Sequence, residues 1–94
     1  MIPTNRIPTH PGEILKEEFL EPMNITQEFL AKHINISVQR INEIVTEKCS
    51  ITPETAWLLS QAFKTTPEFW MNLQTNYDLA INKPKEIKQP LIAS

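Results

Sequence analysis

Residues 27–46 read QEFLAKHINISVQRINEIVT. Leu30, Ala31 and Ile34 keep the spacing of one helix face, and Ile41, Ile44 and Val45 keep it again. Ile36 and Val38 fall in the break between the two sets. Two short helices joined by a tight turn bury both sets against each other. Thr26 stands where it can cap the first, over roughly residues 27–33, and Ser37 the second, over roughly 38–46. Asn35 lies at the turn, and asparagine tolerates the left-handed backbone such turns need.

The simplest structure with that grammar is a helix-turn-helix, whose second helix enters the major groove of DNA. Ala31 is small where the two helices cross, and Ile36, Ile41 and Ile44 face inward. Ser37, Gln39, Arg40, Asn42, Glu43 and Thr46 are left facing out. Gln39 and Asn42 suit adenine and Arg40 suits guanine. Gln27 and Ser37 sit at helix N-termini, where side chain and free N–H groups suit a phosphate oxygen. Thr46 and Lys48 follow the reading helix and are placed for the DNA backbone. The expected DNA contacts are therefore Gln27, Ser37, Gln39, Arg40, Asn42, Thr46 and Lys48. Taken singly, each is equally at home as solvated surface. Glu43 is expected to repel phosphate or pair with Arg40.

Outward from this motif, prolines punctuate a chain that holds eight of them and one glycine. A first helix starts near Gly12 or Glu13 and stops before Pro22, with Leu15, Phe19 and Met23 on one stripe and Leu20 beside it. His10, in a proline-flanked arm, is a candidate cap for it. Thr52–Pro53 opens a fourth helix to about Phe63, with Ala56, Leu59 and Phe63 inward. Thr66–Pro67 repeats the signal and opens a fifth, to about Ala80. Phe69, Trp70, Leu73 and Tyr77 form its apolar stripe, divided between core and a dimer interface. Asn24 suits the turn after the first helix. Glu47 stands where neither glycine nor asparagine is available, so that turn is expected to be different or strained. No stretch alternates with period two, so the expected class is all-α with five helices. A domain is expected over 1–82 with its helix-turn-helix at 27–46, followed by a flexible tail over 83–94.

The 94 residues suit one domain with a thin stability margin, which dimerisation would widen. No apolar run approaches the ~18 residues a membrane span needs, and the first residues lack a signal-peptide pattern. Cys49 is the single cysteine, which fits a reducing cytoplasm. The net charge of −2 counts against DNA binding unless charge is segregated by face. His10 and His33 lack a cysteine or carboxylate at ligand spacing, and no glycine-rich phosphate loop or nucleophile–base pair is present. Neither an enzyme, a metal nor a cofactor is expected.

The pattern of Gln27, Leu30–Ala31, Asn35–Ile36–Ser37, Ile41 and Ile44 resembles the helix-turn-helix of phage repressors, with Asn35 where that class favours glycine. More narrowly, HPGEIL at 10–15, RINEIV at 40–45, ITPETA at 51–56, TPEFWMNLQ at 66–74 and YDL at 77–79 resemble the HigA-family antitoxins, also described as addiction-module antidotes. The resemblance implies a five-helix, lambda-repressor-like domain that is a homodimer through its C-terminal region. It implies a palindromic operator DNA and a cognate HigB-like (RelE-like) mRNA-cleaving toxin as partners, with autorepression of the operon. Glu47 and Cys49 depart from the glycine and basic residue common in the loop after the third helix, which implies weaker backbone contact there. A stand-alone repressor without a toxin is the alternative reading.

Overall fold

The computed structural model describes residues 7–92. Expectations that touch residues 1–6, 93 and 94 lie outside it. Five helices follow one another, and no strand occurs among the described residues. Helix α1 runs over Pro11–Ile14 and continues as a π-helical stretch over Leu15–Leu20. Helices α2 (Gln27–Ile34), α3 (Val38–Val45), α4 (Pro53–Phe63) and α5 (Pro67–Ile81) are regular. Residues 83–92 form no helix and are exposed.

Each helix begins where a side chain can replace a missing hydrogen-bond acceptor. His10 Nδ1 accepts from the Gly12 N–H at 2.8 Å. Thr26, Ser37 and Thr66 accept from Phe29, Arg40 and Phe69 N–H groups, each at 3.1 Å. Thr52 accepts from Thr55 at 3.4 Å. Pro11, Pro53 and Pro67 occupy first-turn positions, where no N–H is needed.

The first four helices end alike, and without glycine. Asn24, Asn35, Glu47 and Lys64 all adopt left-handed backbone, with φ of 57°, 61°, 65° and 58°. After each, the next N–H reaches back five residues: Ile25 to Leu20, Ile36 to Ala31, Lys48 to Glu43 and Thr65 to Ser60. The turn at Glu47 is thus the same as the others, imposed on an unsuitable residue. A left-handed non-glycine residue costs about 1–2 kcal/mol, against about 0.5–1 kcal/mol for the extra chain entropy of glycine. Glu47 also sets a carboxylate at the negative end of α3. Glu47→Gly at pH 8 is therefore expected to raise stability by about 1 kcal/mol and Tm by about 4–8 °C. A lower Tm would contradict the account of this turn.

The core draws on every helix: Leu15 and Leu20 of α1, Leu30, Ala31 and Ile34 of α2, Ile41, Ile44 and Val45 of α3, Ala56 and Leu59 of α4, Trp70 of α5. Ile51 joins them from the loop before α4. The stripe expected on α1 needs correcting. The π-helical turn is wider than an α turn, so Leu15 and Leu20, five apart, are buried together. Phe19 is half-buried and Met23 is exposed. Phe63 is half-buried rather than central.

Trp70 needs a second correction. It is fully buried within the protomer, and its indole N–H donates to the Thr65 hydroxyl at 2.8 Å. Phe19 and Phe69 pack on its ring, with centroids at 5.4 and 5.1 Å. It has no surface to offer a second copy. Phe69 is exposed at the edge of this cluster, while Leu73 and Tyr77 are half-buried.

Helix α1 seats α3 from behind. Gly12 lies so close to the end of α3 that a Cβ there would stand 1.8 Å from the Ile44 carbonyl oxygen. Gln74 of α5 is buried and fixes the loop after α3. Its Oε1 accepts from the Ile51 N–H at 2.7 Å, and its Nε2 donates to Asp78 Oδ1 at 2.9 Å.

Candidate nucleic-acid interface

The buried side chains of α3 are those expected from the sequence. Ile41, Ile44 and Val45 point into the core, and Ala31 is buried where α2 packs on α3. The opposite face carries Gln39 and Asn42, both exposed, with Arg40 and Glu43 half-buried beside them. Asn42 is not free to turn at random. Its Nδ2 donates to Gln27 Oε1 at 3.3 Å, which ties the N-terminus of α2 to the middle of α3. With that bond made, Asn42 Oδ1 and the Gln27 amide N–H groups remain available to a ligand.

The Ser37 hydroxyl is engaged as a cap, so its contribution to an anion is chiefly geometric: it opens α3 with backbone donors exposed. The Thr46 hydroxyl donates to the Asn42 carbonyl at 2.8 Å, which leaves its oxygen lone pairs for a donor rather than a phosphate. Lys48 is exposed just past the turn at Glu47. The structure thus places Gln27, Gln39 and Asn42 on one face with Arg40 at its edge, Ser37 at its start and Thr46 and Lys48 at its end.

Arg40 differs from the expected pairing. Among the described residues the only ion pair joins Lys88 and Glu86, so Glu43 does not hold Arg40. The Arg40 Nε is shielded and has no hydrogen-bond partner. A donor left without a partner within the chain suits an acceptor from outside it. Val38, in the break between the two apolar sets, is 45% exposed at the first position of α3. Its place in the opening turn, ahead of the buried Ile41, was the available signal.

The electrostatics are mixed. Arg40, Lys48 and Lys32 share the region with Glu28, Glu43 and Glu47. No helix among the described residues is long and apolar enough to cross a membrane, and no group of three or more His, Cys, Asp or Glu side chains could hold a metal ion.

His10 closes the back of the site. It packs edge-on against Tyr77, with ring centroids 4.8 Å apart. Burial lowers its pKa below the usual 6.5, and the nearby Glu47 and Asp78 carboxylates oppose that shift. Protonation also removes the Nδ1 acceptor that holds the Gly12 N–H. The folded pKa lies below the unfolded one, so the unfolded chain binds protons first. Stability contributed by neutral His10 is complete above pH 6.5 and is lost as pH falls from there towards the folded value. The Tm advantage of the wild type over His10→Asn, which keeps a cap but does not titrate, is expected to shrink from pH 7.5 to pH 5. A pH-independent difference would contradict this role.

A helix-turn-helix family model matches residues 16–70, more than half of the chain. Virulence-associated protein I of Dichelobacter nodosus is 49% identical over 76 residues, covering 80% of this chain and 70% of that protein. The structure of Pseudomonas aeruginosa antitoxin HigA with the higBA promoter superposes with a TM-score of 0.77 at 43% identity, covering 79% of this chain and 80% of that one. Antitoxin GraA in complex with its operator gives a TM-score of 0.85 at 34% identity, over 99% of this chain and 100% of the other. A capped α2, a turn at Asn35, a buried inner face on α3 and these likenesses lead to one assignment: the chain is a non-enzymatic member of the helix-turn-helix family, in the group of the HigA antitoxins.

Proposed function

We propose that this chain is the antitoxin of a type II toxin–antitoxin module. As a dimer it binds palindromic operator DNA through α3 and represses its own operon. It also binds and neutralises a HigB/RelE-like mRNA-cleaving toxin encoded beside it. The observation that carries the DNA half is the outer side of α3, where Gln39 and Asn42 are exposed, Arg40 is half-buried beside them and Asn42 is held by Gln27. The likeness to HigA with its promoter and to GraA with its operator supports the same reading.

Base contacts come from Gln39, Arg40 and Asn42, and phosphate contacts from Gln27, the start of α3 at Ser37, and Lys48. Thr46 orients the end of α3. The mixed charge around α3 leaves a single copy weak on DNA, and two copies on half-sites about one helical turn apart supply the affinity. Phe69, Leu73 and Tyr77 of α5 provide the dimer surface. The net charge of −2 suits a basic toxin as second partner. The domain ends near residue 82, residues 83–94 act as a separate tail, and the protein works in the cytoplasm.

The toxin half is tested by expressing the product of the adjacent reading frame and adding it to a cell-free translation reaction. The expected result is inhibition of translation, relieved when this chain is added in stoichiometric amount. Inhibition that persists, or an adjacent frame without such a product, would leave a stand-alone repressor instead.

A further inference from the structure

Val38 is an apolar side chain on a polar face. It occupies the first position of α3 and is 45% exposed, while Ile41 and Val45, on the same side of the helix, are fully or nearly buried. Its other neighbours are polar and exposed: Ser37, Gln39 and, one turn on, Asn42. This branched side chain lies outside the buried cluster and leaves much of its apolar surface open. In a helix, valine is held almost entirely in one rotamer, so its two methyl groups are presented rigidly. The opening residues of a reading helix meet base edges in the major groove. The base pairs present hydrogen-bonding atoms there, and one apolar group, the C5-methyl of thymine.

We infer that Val38 packs against the C5-methyl group of a thymine in the operator and selects thymine at that position. The inference rests on the DNA-reading role proposed for α3. Cytosine has only a C5–H at that place and the purines present N7, so none of them offers valine a methyl group to cover. Asn42, fixed by Gln27 one turn along, then lies over the neighbouring base step, so Val38 and Asn42 read adjacent positions on one stripe of the helix.

The test begins with duplexes that the protein selects from a randomised library. Affinity is measured by fluorescence anisotropy. Each thymine of the selected site is replaced in turn by deoxyuridine, which removes the methyl group and nothing else. One such replacement is expected to weaken wild-type binding about three- to tenfold. Val38→Ala is expected to weaken binding to the thymine duplex by a similar factor and to show no further loss on that deoxyuridine duplex. Val38→Ile is expected to retain the preference. If no deoxyuridine replacement affects the wild type, or if Val38→Ala loses equally on both duplexes, the assignment is overturned. The wild-type series needs no variant, so a poorly folding Val38→Ala does not remove the test. Failure of the wild type to select any sequence overturns the DNA-reading proposal itself. Selection without methyl dependence overturns Val38 alone.

Discussion

Gly12→Ala is expected to lower stability by about 3 kcal/mol, although alanine is the better helix former. In an open helix position the exchange would gain up to about 1 kcal/mol. Here the added methyl meets the Ile44 carbonyl oxygen at 1.8 Å, an atom of the α3 backbone that no side-chain rotation can move aside. Either α1 lifts from α3 or α3 shifts outward, and overpacking of this kind costs about 1–3 kcal/mol or more. For a domain of this size that is a Tm loss of about 12 °C or more. Glu13→Ala, at the exposed neighbouring position, is the control and should change stability by no more than about 0.5 kcal/mol. Thermal melts of the two variants decide the matter, and a raised Tm for Gly12→Ala would refute the close seat of α1 on α3. Because α3 carries the candidate reading face, the same variant should also bind DNA more weakly.

Trp70→Ala is the second large effect, and its expected cause is packing within one copy. The indole is fully buried between Phe19, Phe69 and the core, and removing it leaves both a cavity and an unpaired Thr65 hydroxyl. A loss of about 3–5 kcal/mol follows. Trp70→Phe keeps most of the volume and forfeits the hydrogen bond, so it should recover the larger part of that loss. Sedimentation separates this account from an interface role. A Trp70→Ala protein with an unchanged Tm that has become monomeric would return Trp70 to the dimer surface.

The features legible in the sequence are those whose causes lie within a few residues. Thr26, Ser37, Thr52 and Thr66 cap N–H groups three residues on, so each marks its own helix. Asn24 and Asn35 adopt the left-handed backbone their short amide side chains tolerate. His10 caps α1 as its place in the proline-flanked arm implies. Lys64 adopts the same backbone with no such signal in its own side chain. The π-helical turn in α1 shifted the buried register from Phe19 and Met23 to Leu20, and four-residue spacing could not show it. Gly12 and Gln74 owe their roles to Ile44 and Ile51, partners remote in the chain. Trp70 lies wholly in the core, because an aromatic stripe does not say which of its rings is interior.

Base reading by α3 is tested most directly by affinity, measured by anisotropy as a function of salt, for wild type and Arg40→Ala. Both are measured on the operator and on a scrambled duplex of equal length. The wild type is expected to show a log–log salt slope steeper than about −3 on the operator, from a dimer making several phosphate contacts. Arg40→Ala is expected to lose about 1–3 kcal/mol on the operator and far less on the scrambled duplex. A flat salt response, or equal losses on both duplexes, would contradict it.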